Sequence, residues 1–178
     1  SVVENSIFDW ARWQRTPNSA GIDWSGVGHL VRGNRLFNAP EPAVEGNGNV
    51  DCIFEYNTIT NVNWEQSDMG AYYHGSSAGG YNYGWTQPGN VIRGNTWKKI
   101  RFQESRPTEK AYSFTTQAIY MDDELSGYTI VDNHFDDVDV GVFIGGGRHH
   151  TVRNNTFEAC GTACIHVDNR GMNWAHEL

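Results

Sequence analysis

Along this chain, apolar residues come in short bursts punctuated by asparagine. An apolar pair, one or two variable residues, Asn, one variable residue and a further apolar residue recur as VVENSI at 2–7, LVRGNRLF at 30–37, IFEYNTI at 53–59, VIRGNTW at 91–97, TIVDNHF at 129–135 and TVRNNTF at 151–157. The aligned asparagines are Asn5, Asn34, Asn57, Asn95, Asn133 and Asn155, spaced 29, 23, 38, 38 and 22 residues apart. Two spacings lie near 22 and the others equal that unit plus insertions, which predicts one repeated coil with loops growing from it. Asn tolerates the left-handed backbone region that a bend needs, and its amide can bond to the Asn of the next coil. The bend is therefore assigned to the asparagines themselves.

A second pattern lies between successive asparagines: GIDWS, AVEGN, AYYHG, AIYMDD, GVFIGG and ACIHVD. Each opens on a small residue and then largely alternates, the period of a strand with one buried face. Each unit thus supplies about three short strands, and stacking some six units gives parallel sheets around a common core. The expected fold is all-β, a right-handed parallel β-helix (a solenoid) forming a single domain over 1–178, with insertions near 76–89 and 103–116. A β-sandwich needs tight hairpin turns, and the one Asn-Gly, at Asn47, joins no two alternating runs. A doubly wound fold needs amphipathic helices, and the pattern supplies none. The chain opens inside a coil at Ser1 without an initiator Met or secretory signal, which suggests a mature or excised piece. Solenoids need polar end caps, so flanking segments or other chains are expected to cover both ends.

Aligning the alternating runs turns this pattern into geometry. Ile22, Val44, Tyr72, Ile119, Val142 and Ile165 face inward, and the next residues form an outward column of Asp23, Glu45, Tyr73, Tyr120, Phe143 and His166. Two residues on, a second outward column reads Ser25, Asn47, Gly75, Asp122, Gly145 and Asp168. Asp122 and Asp168 are then two coils apart, with backbones roughly 10 Å apart, and Gly145 leaves a pit between them. Aromatic faces bind the apolar faces of sugar rings, and carboxylates bond to their hydroxyls. Paired carboxylates about 5 Å apart suit a retaining glycosidase and about 6.5–9.5 Å an inverting one, and the spacing here leans towards inverting. Asp123 would point away if its strand continued, so its direction rests on where the turn at Glu124–Gly127 begins. Asp68, in SDMGAYYHG, is a third candidate, reaching the cleft if the chain bends before Gly70.

Composition narrows the class. Of 178 residues, 38% are hydrophobic and 19% charged, too apolar for a disordered chain, and no apolar run is long enough to span a membrane. A net charge of −8 argues against nucleic acid, and against polyanionic sugars unless a cation or a local basic patch intervenes. Cys160 and Cys164 flank Gly161 and could close a small loop, leaving Cys52 unpaired. Three reduced thiols are the other reading. The sequon Asn154-Asn155-Thr156 is consistent with a secretory route.

The pieces SDMGAYYHG, AIYMDDELSG, GVFIGGGR and CIHVDNRG, in this order with Asn-centred coils between them, resemble the β-helix domain of secreted carbohydrate-active proteins. The closest resemblance is to glycoside hydrolase family 141, a group of fucosidase- and xylanase-type enzymes. The resemblance implies a secreted or cell-surface protein whose partner is a carbohydrate, with catalytic aspartates on adjacent coils: Asp68 with Asp122 or Asp123. Asp168 would then bind sugar hydroxyls, alongside Tyr73, Tyr120, Phe143, Arg148, His166 and Arg170. Insertion 76–89 carries Tyr81, Tyr83 and Trp85, which would form a sugar-stacking rim.

Blander readings stand beside these. Asp122 and Asp123 could be a solvated turn, Asp68 a turn cap, Arg148 an exposed turn charge, and Tyr73 and Tyr120 a cover for the sheet. Asp132, Asp136, Asp137 and Asp139 suit calcium through their oxygens, yet a solvated acidic turn fits them better. His149 and His150 are adjacent and face opposite ways, a poor metal pair; no cofactor is expected. Three functions remain: glycoside hydrolysis; polysaccharide elimination, with Arg148, Arg170 or His166 serving the uronate or acting as base; and a non-catalytic carbohydrate-binding or structural module.

Overall fold

The computed structural model describes residues 1–9, 20–75, 88–103 and 115–170. The expected rim residues Tyr81, Tyr83 and Trp85, and most of the 103–116 insertion, lie outside the described residues.

The described chain makes six coils of parallel strands. The first comprises β1 (Val2–Glu4), β2 (Ile7–Asp9) and β3 (Ile22–Val27), and the second β4 (Leu30–Arg32), β5 (Arg35–Ala39) and β6 (Val44–Val50). The third has β7 (Ile53–Glu55), β8 (Thr58–Val62) and β9 (Gly70–His74), and the fourth β10 (Val91–Arg93), β11 (Thr96–Ile100) and β12 (Gln117–Met121). In the last two coils the second and third strands fuse: β13 (Thr129–Val131) precedes β14 (His134–Gly145), and β15 (Thr151–Arg153) precedes β16 (Thr156–Asp168). Strands β1, β4, β7, β10, β13 and β15 form one sheet. The other sheet folds round two faces, because β14 pairs with β11 along its first half and with β12 along its second. The architecture is all-β with no helix among the described residues.

Register follows the alternating pattern. Val3, Val31, Phe54, Ile92, Ile130 and Val152 stack on the first face, and Phe8, Leu36, Ile59, Trp97, Phe135 and Phe157 on the second. Ile22, Val44, Tyr72, Ile119, Val142 and Ile165 stack on the third, as the alternation predicts. Trp97 lies flat against Phe135 (centroids 6.1 Å apart), and Phe135 against Phe157 (4.7 Å). Offset aromatic stacking adds to the area these rings bury.

The first corner is an asparagine ladder, as expected from Asn34 onward, with the left-handed bend one residue earlier than expected. The Oδ1 atoms of Asn57, Asn95, Asn133 and Asn155 each accept the backbone N–H of the preceding Asn, at 2.8–3.0 Å, and its Nδ2 as well. The left-handed residue is the one before each Asn: Gly33, Tyr56, Gly94, Asp132 and Asn154, with φ between 54° and 64°. The asparagines themselves stay in ordinary backbone, where their amides face the ladder. Asn5 accordingly belongs to the left-handed position (φ 53°), and Ser6 takes the ladder place, its N–H donating to Asn34 Oδ1. A second left-handed corner, at Asn38, Asn61, Lys99, Asp137 and Ala159, has no counterpart in the sequence reading.

All three thiols are free in the structure. Cys52 is buried at a corner, its Sγ donating to the carbonyls of Gly26 and Val50. Burial and then the neighbouring Cys164 push the Cys160 thiol up to about 12.

Candidate functional site

The outward column of the third face comes out as the alternation predicts: Asp23, Glu45, Tyr73, Tyr120, Phe143 and His166 lie in register. Asp122 follows β12, its N–H donating to the His74 carbonyl, and Gly145 is the partner of Asp168. The chain leaves the strand immediately after Asp122. Asp123 and Glu124 are both left-handed (φ 45° and 63°), and Leu125 N–H closes back on the Asp122 carbonyl. This bend settles the direction of Asp123: instead of pointing away, its Oδ1 comes within 3.7 Å of the Arg170 guanidinium.

Three donors converge on Asp122. Tyr73 Oη donates to Oδ2 at 2.9 Å, the Asp123 backbone N–H donates to Oδ1 at 2.9 Å, and Arg170 Nη1 is ion-paired with Oδ1. Asp122 is only 9% exposed, so these contacts meet little competition from water. Each favours the charged carboxylate. Asp123 has the opposite surroundings. Burial raises its pKa first, and the charges of Asp68 and Asp168 raise it further. Asp68 is exposed at a bend before β9, yet its charge also acts on Tyr73 and Tyr120. Burial raises the Tyr73 phenol well above its usual value.

The pit beside Gly145 is filled. Arg170 lies in it, with Nη2 3.4 Å from Asp168 Oδ2, Nη1 donating to Tyr120 Oη at 3.2 Å, and Cζ over the rings of Phe143 and Tyr120. The aromatics form a packed cluster with Val140. Tyr120 sits edge-on to both Tyr73 (5.4 Å) and Phe143 (4.6 Å), and is 3% exposed, Phe143 6%. Of the three rings, Tyr73 alone is half-buried. His166 is exposed and packs edge-on against Phe143. Asp168 accepts the Arg170 backbone N–H at 3.0 Å as well as facing its guanidinium, so both its oxygens are engaged.

Arg148 lies elsewhere: it is exposed, its N–H donates to Ser126 Oγ, and its charge acts on Glu124. The structure thus gathers Asp68, Asp122, Asp123, Asp168, Tyr73, Tyr120, Phe143 and Arg170 in one place, sets His166 at its edge and leaves Arg148 outside.

Sequence reasoning gave no site role to Glu45 and Glu41. Burial raises the Glu45 pKa, with Asp23 and Glu41 adding to it, and Glu41 is 3% exposed and accepts from Gln66 Nε2 at 2.9 Å. The signal for Glu45 was its place in the outward column; Glu41, between two prolines, carried none.

Of the acidic run at 132–139, Asp136, Asp137 and Asp139 lie on β14 rather than in a solvated turn. Asp136 pairs with Lys98, and Asp137 and Asp139 with Arg101, across neighbouring coils. Asp139 Oδ2 also accepts the N–H groups of Phe102 and Thr116, holding both ends of the 103–116 insertion together. Among the described residues no group of three His, Cys, Asp or Glu side chains could hold a metal ion. His149 is exposed, while His150 turns against Tyr128 (6.1 Å) and is lowered in pKa by burial.

Six stacked coils with parallel register define a β-helix, and comparison with known families supplies its hand. A family model described as the right handed beta helix region matches residues 1–177, and the chain belongs to that family. The fold is one found in many carbohydrate-active enzymes. No curated protein and no solved structure matches the chain. No helix among the described residues is long and apolar enough to cross a membrane.

Proposed function

We propose that this β-helix is a carbohydrate-active protein of the glycoside hydrolase type, acting at Asp122, Asp123 and Asp68 in the manner of the family 141 enzymes its motifs resemble. The observation that carries this reading is the unlike treatment of two adjacent carboxyls. Asp122 is held as an anion by Tyr73, the Asp123 amide and Arg170, while Asp123 is pushed towards its protonated form by burial, Asp68 and Asp168. Environments that push two carboxyls apart are how acid and base roles are divided at one pH. Asp122 would attack the anomeric carbon or activate water, and Asp123 or Asp68 would protonate the leaving oxygen.

Single Asp→Asn substitutions at 122, 123 and 68 test this, read as reducing sugar released from a panel of neutral polysaccharides. The expected result is a loss of several orders of magnitude for Asp122→Asn and for one of the other two, with folding intact. Undiminished release in all three contradicts the reading.

A second reading, a secreted binding module without turnover, is favoured by the burial of Tyr120 and Phe143 and by Arg170 filling the pit. Saccharide binding with no release by the wild type would select it. Elimination has less support, because Arg170 is already engaged by carboxylates and Arg148 lies against Glu124; ultraviolet absorbance of an unsaturated product would establish it.

A further inference from the structure

Arg170 is placed with unusual care. Its backbone N–H and its Nη2 both serve Asp168, two residues earlier on the same coil. Its Nη1 reaches Asp122, two coils away, and Tyr120, with Asp123 at 3.7 Å. The path is kept open by the coil between. A Cβ on Gly145 would stand 2.9 Å from the Met121 carbonyl oxygen and 3.4 Å from Nη1, and one on Gly146 would stand 2.8 Å from the Arg170 carbonyl oxygen. The guanidinium is roofed by Phe143 and Tyr120, and the side chain is 24% exposed. A rigid planar fork suits this bridging task, which a lysine ammonium would perform only as a point charge.

We infer that Arg170 is a positioning residue, a built-in counter-cation that bridges Asp122 and Asp168 as carboxylates, and that the site therefore takes an uncharged sugar and rejects a uronate. A uronate carboxylate would have to displace an aspartate from Arg170 and then sit among like charges. The titratable groups at the guanidinium are Asp122, Asp123, Tyr120 and Asp168; behind them Tyr73 bonds to Asp122, Asp68 acts on Asp123, Glu124 follows Asp123 and His166 packs on Phe143. The substrate half of this inference rests on the proposed carbohydrate function; the electrostatic half does not.

The electrostatic half is read without substrate, by carbon-13 NMR titration of aspartate-labelled protein. In Arg170→Gln, at least one carboxyl midpoint is expected to rise by about one pH unit, a tenfold gain in proton affinity, and Arg170→Lys should restore part of that shift. Unmoved carboxyl midpoints in a folded Arg170→Gln protein overturn the assignment. If that variant does not fold, Asp168→Asn replaces it. Arg170 then serves Asp122 more fully and the Asp122 midpoint falls; an unchanged midpoint overturns the assignment. For the substrate half, native gels are cast with xyloglucan or with polygalacturonate. Retardation by xyloglucan alone is expected; retardation by polygalacturonate, or by neither, overturns the substrate class.

Discussion

The asparagine corner and the Asp122 pit both bury polar groups in the wall of one solenoid, and they do so by opposite means. At the corner, one residue type repeats in every coil, and each amide is satisfied by its copies above and below: Asn95 accepts from Asn57 and donates to Asn133 and to the Phe54 carbonyl. In the pit no residue is satisfied by copies of itself in the coils above and below. Asp122, Arg170 and Tyr73 come from three separate coils, Asp68 shares the coil of Tyr73, and like charges crowd together with one cation between them. A ladder of neutral amides lowers the energy of stacking at every step. A charged cluster leaves some groups in states they would not hold in water, which is the condition for chemistry.

The largest expected effect is on activity. Asp122→Asn should lower turnover by about a thousandfold, about 4 kcal/mol of barrier, with only a small change in the urea midpoint. A mid-ladder break should do the reverse. Asn95→Ala strands buried donors and acceptors on both sides and should cost about 3 kcal/mol in urea unfolding, with activity unchanged in the fraction that stays folded. Next comes Gly94→Ala. Gly94 has φ 63°, and an added Cβ would stand 2.5 Å from the Tyr56 ring; the expected loss is about 1–2 kcal/mol.

The smallest effect carries a distinctive sign. The Asp123 carboxyl is raised above its ordinary value of 3.8, so in the window just above that value the folded state binds more protons than the unfolded one, and Asp123 works against folding once ionised. Asp123→Asn should therefore raise the melting temperature slightly at neutral pH, and the gain should shrink as pH falls through the carboxyl's raised midpoint. A gain that grows on acidification would contradict this.

The register of the third face could be read from sequence because a strand's period of two survives insertions: aligning small and apolar residues placed Tyr73, Tyr120 and Phe143 in one column. The ladder at the corner was legible, but the left-handed bend was misplaced by one residue. Asn both tolerates the left-handed region and stacks well; the laddered asparagines only stack, leaving the left-handed place before them to Gly33, Gly94, Asp132 and Asn154, which tolerate it, and to Tyr56, whose identity gives no warning. The pit was legible as acids and a glycine, but its filling was not. Where a long arginine side chain ends depends on the space left by coils it does not belong to. The ion pairs of Asp136, Asp137 and Asp139 stayed hidden for the same reason, since Lys98 and Arg101 face them only after the coils stack.

Asp122 and Arg170, remote along the chain, meet because the coils are in register. A double-mutant cycle on urea stability, with Asp122→Asn, Arg170→Gln and the double variant, tests that contact directly. Two groups sharing one ion-pair network should show a coupling energy of about 1 kcal/mol or more. Changes that add within about 0.3 kcal/mol would mean that the two side chains do not meet, and the site described here would not exist.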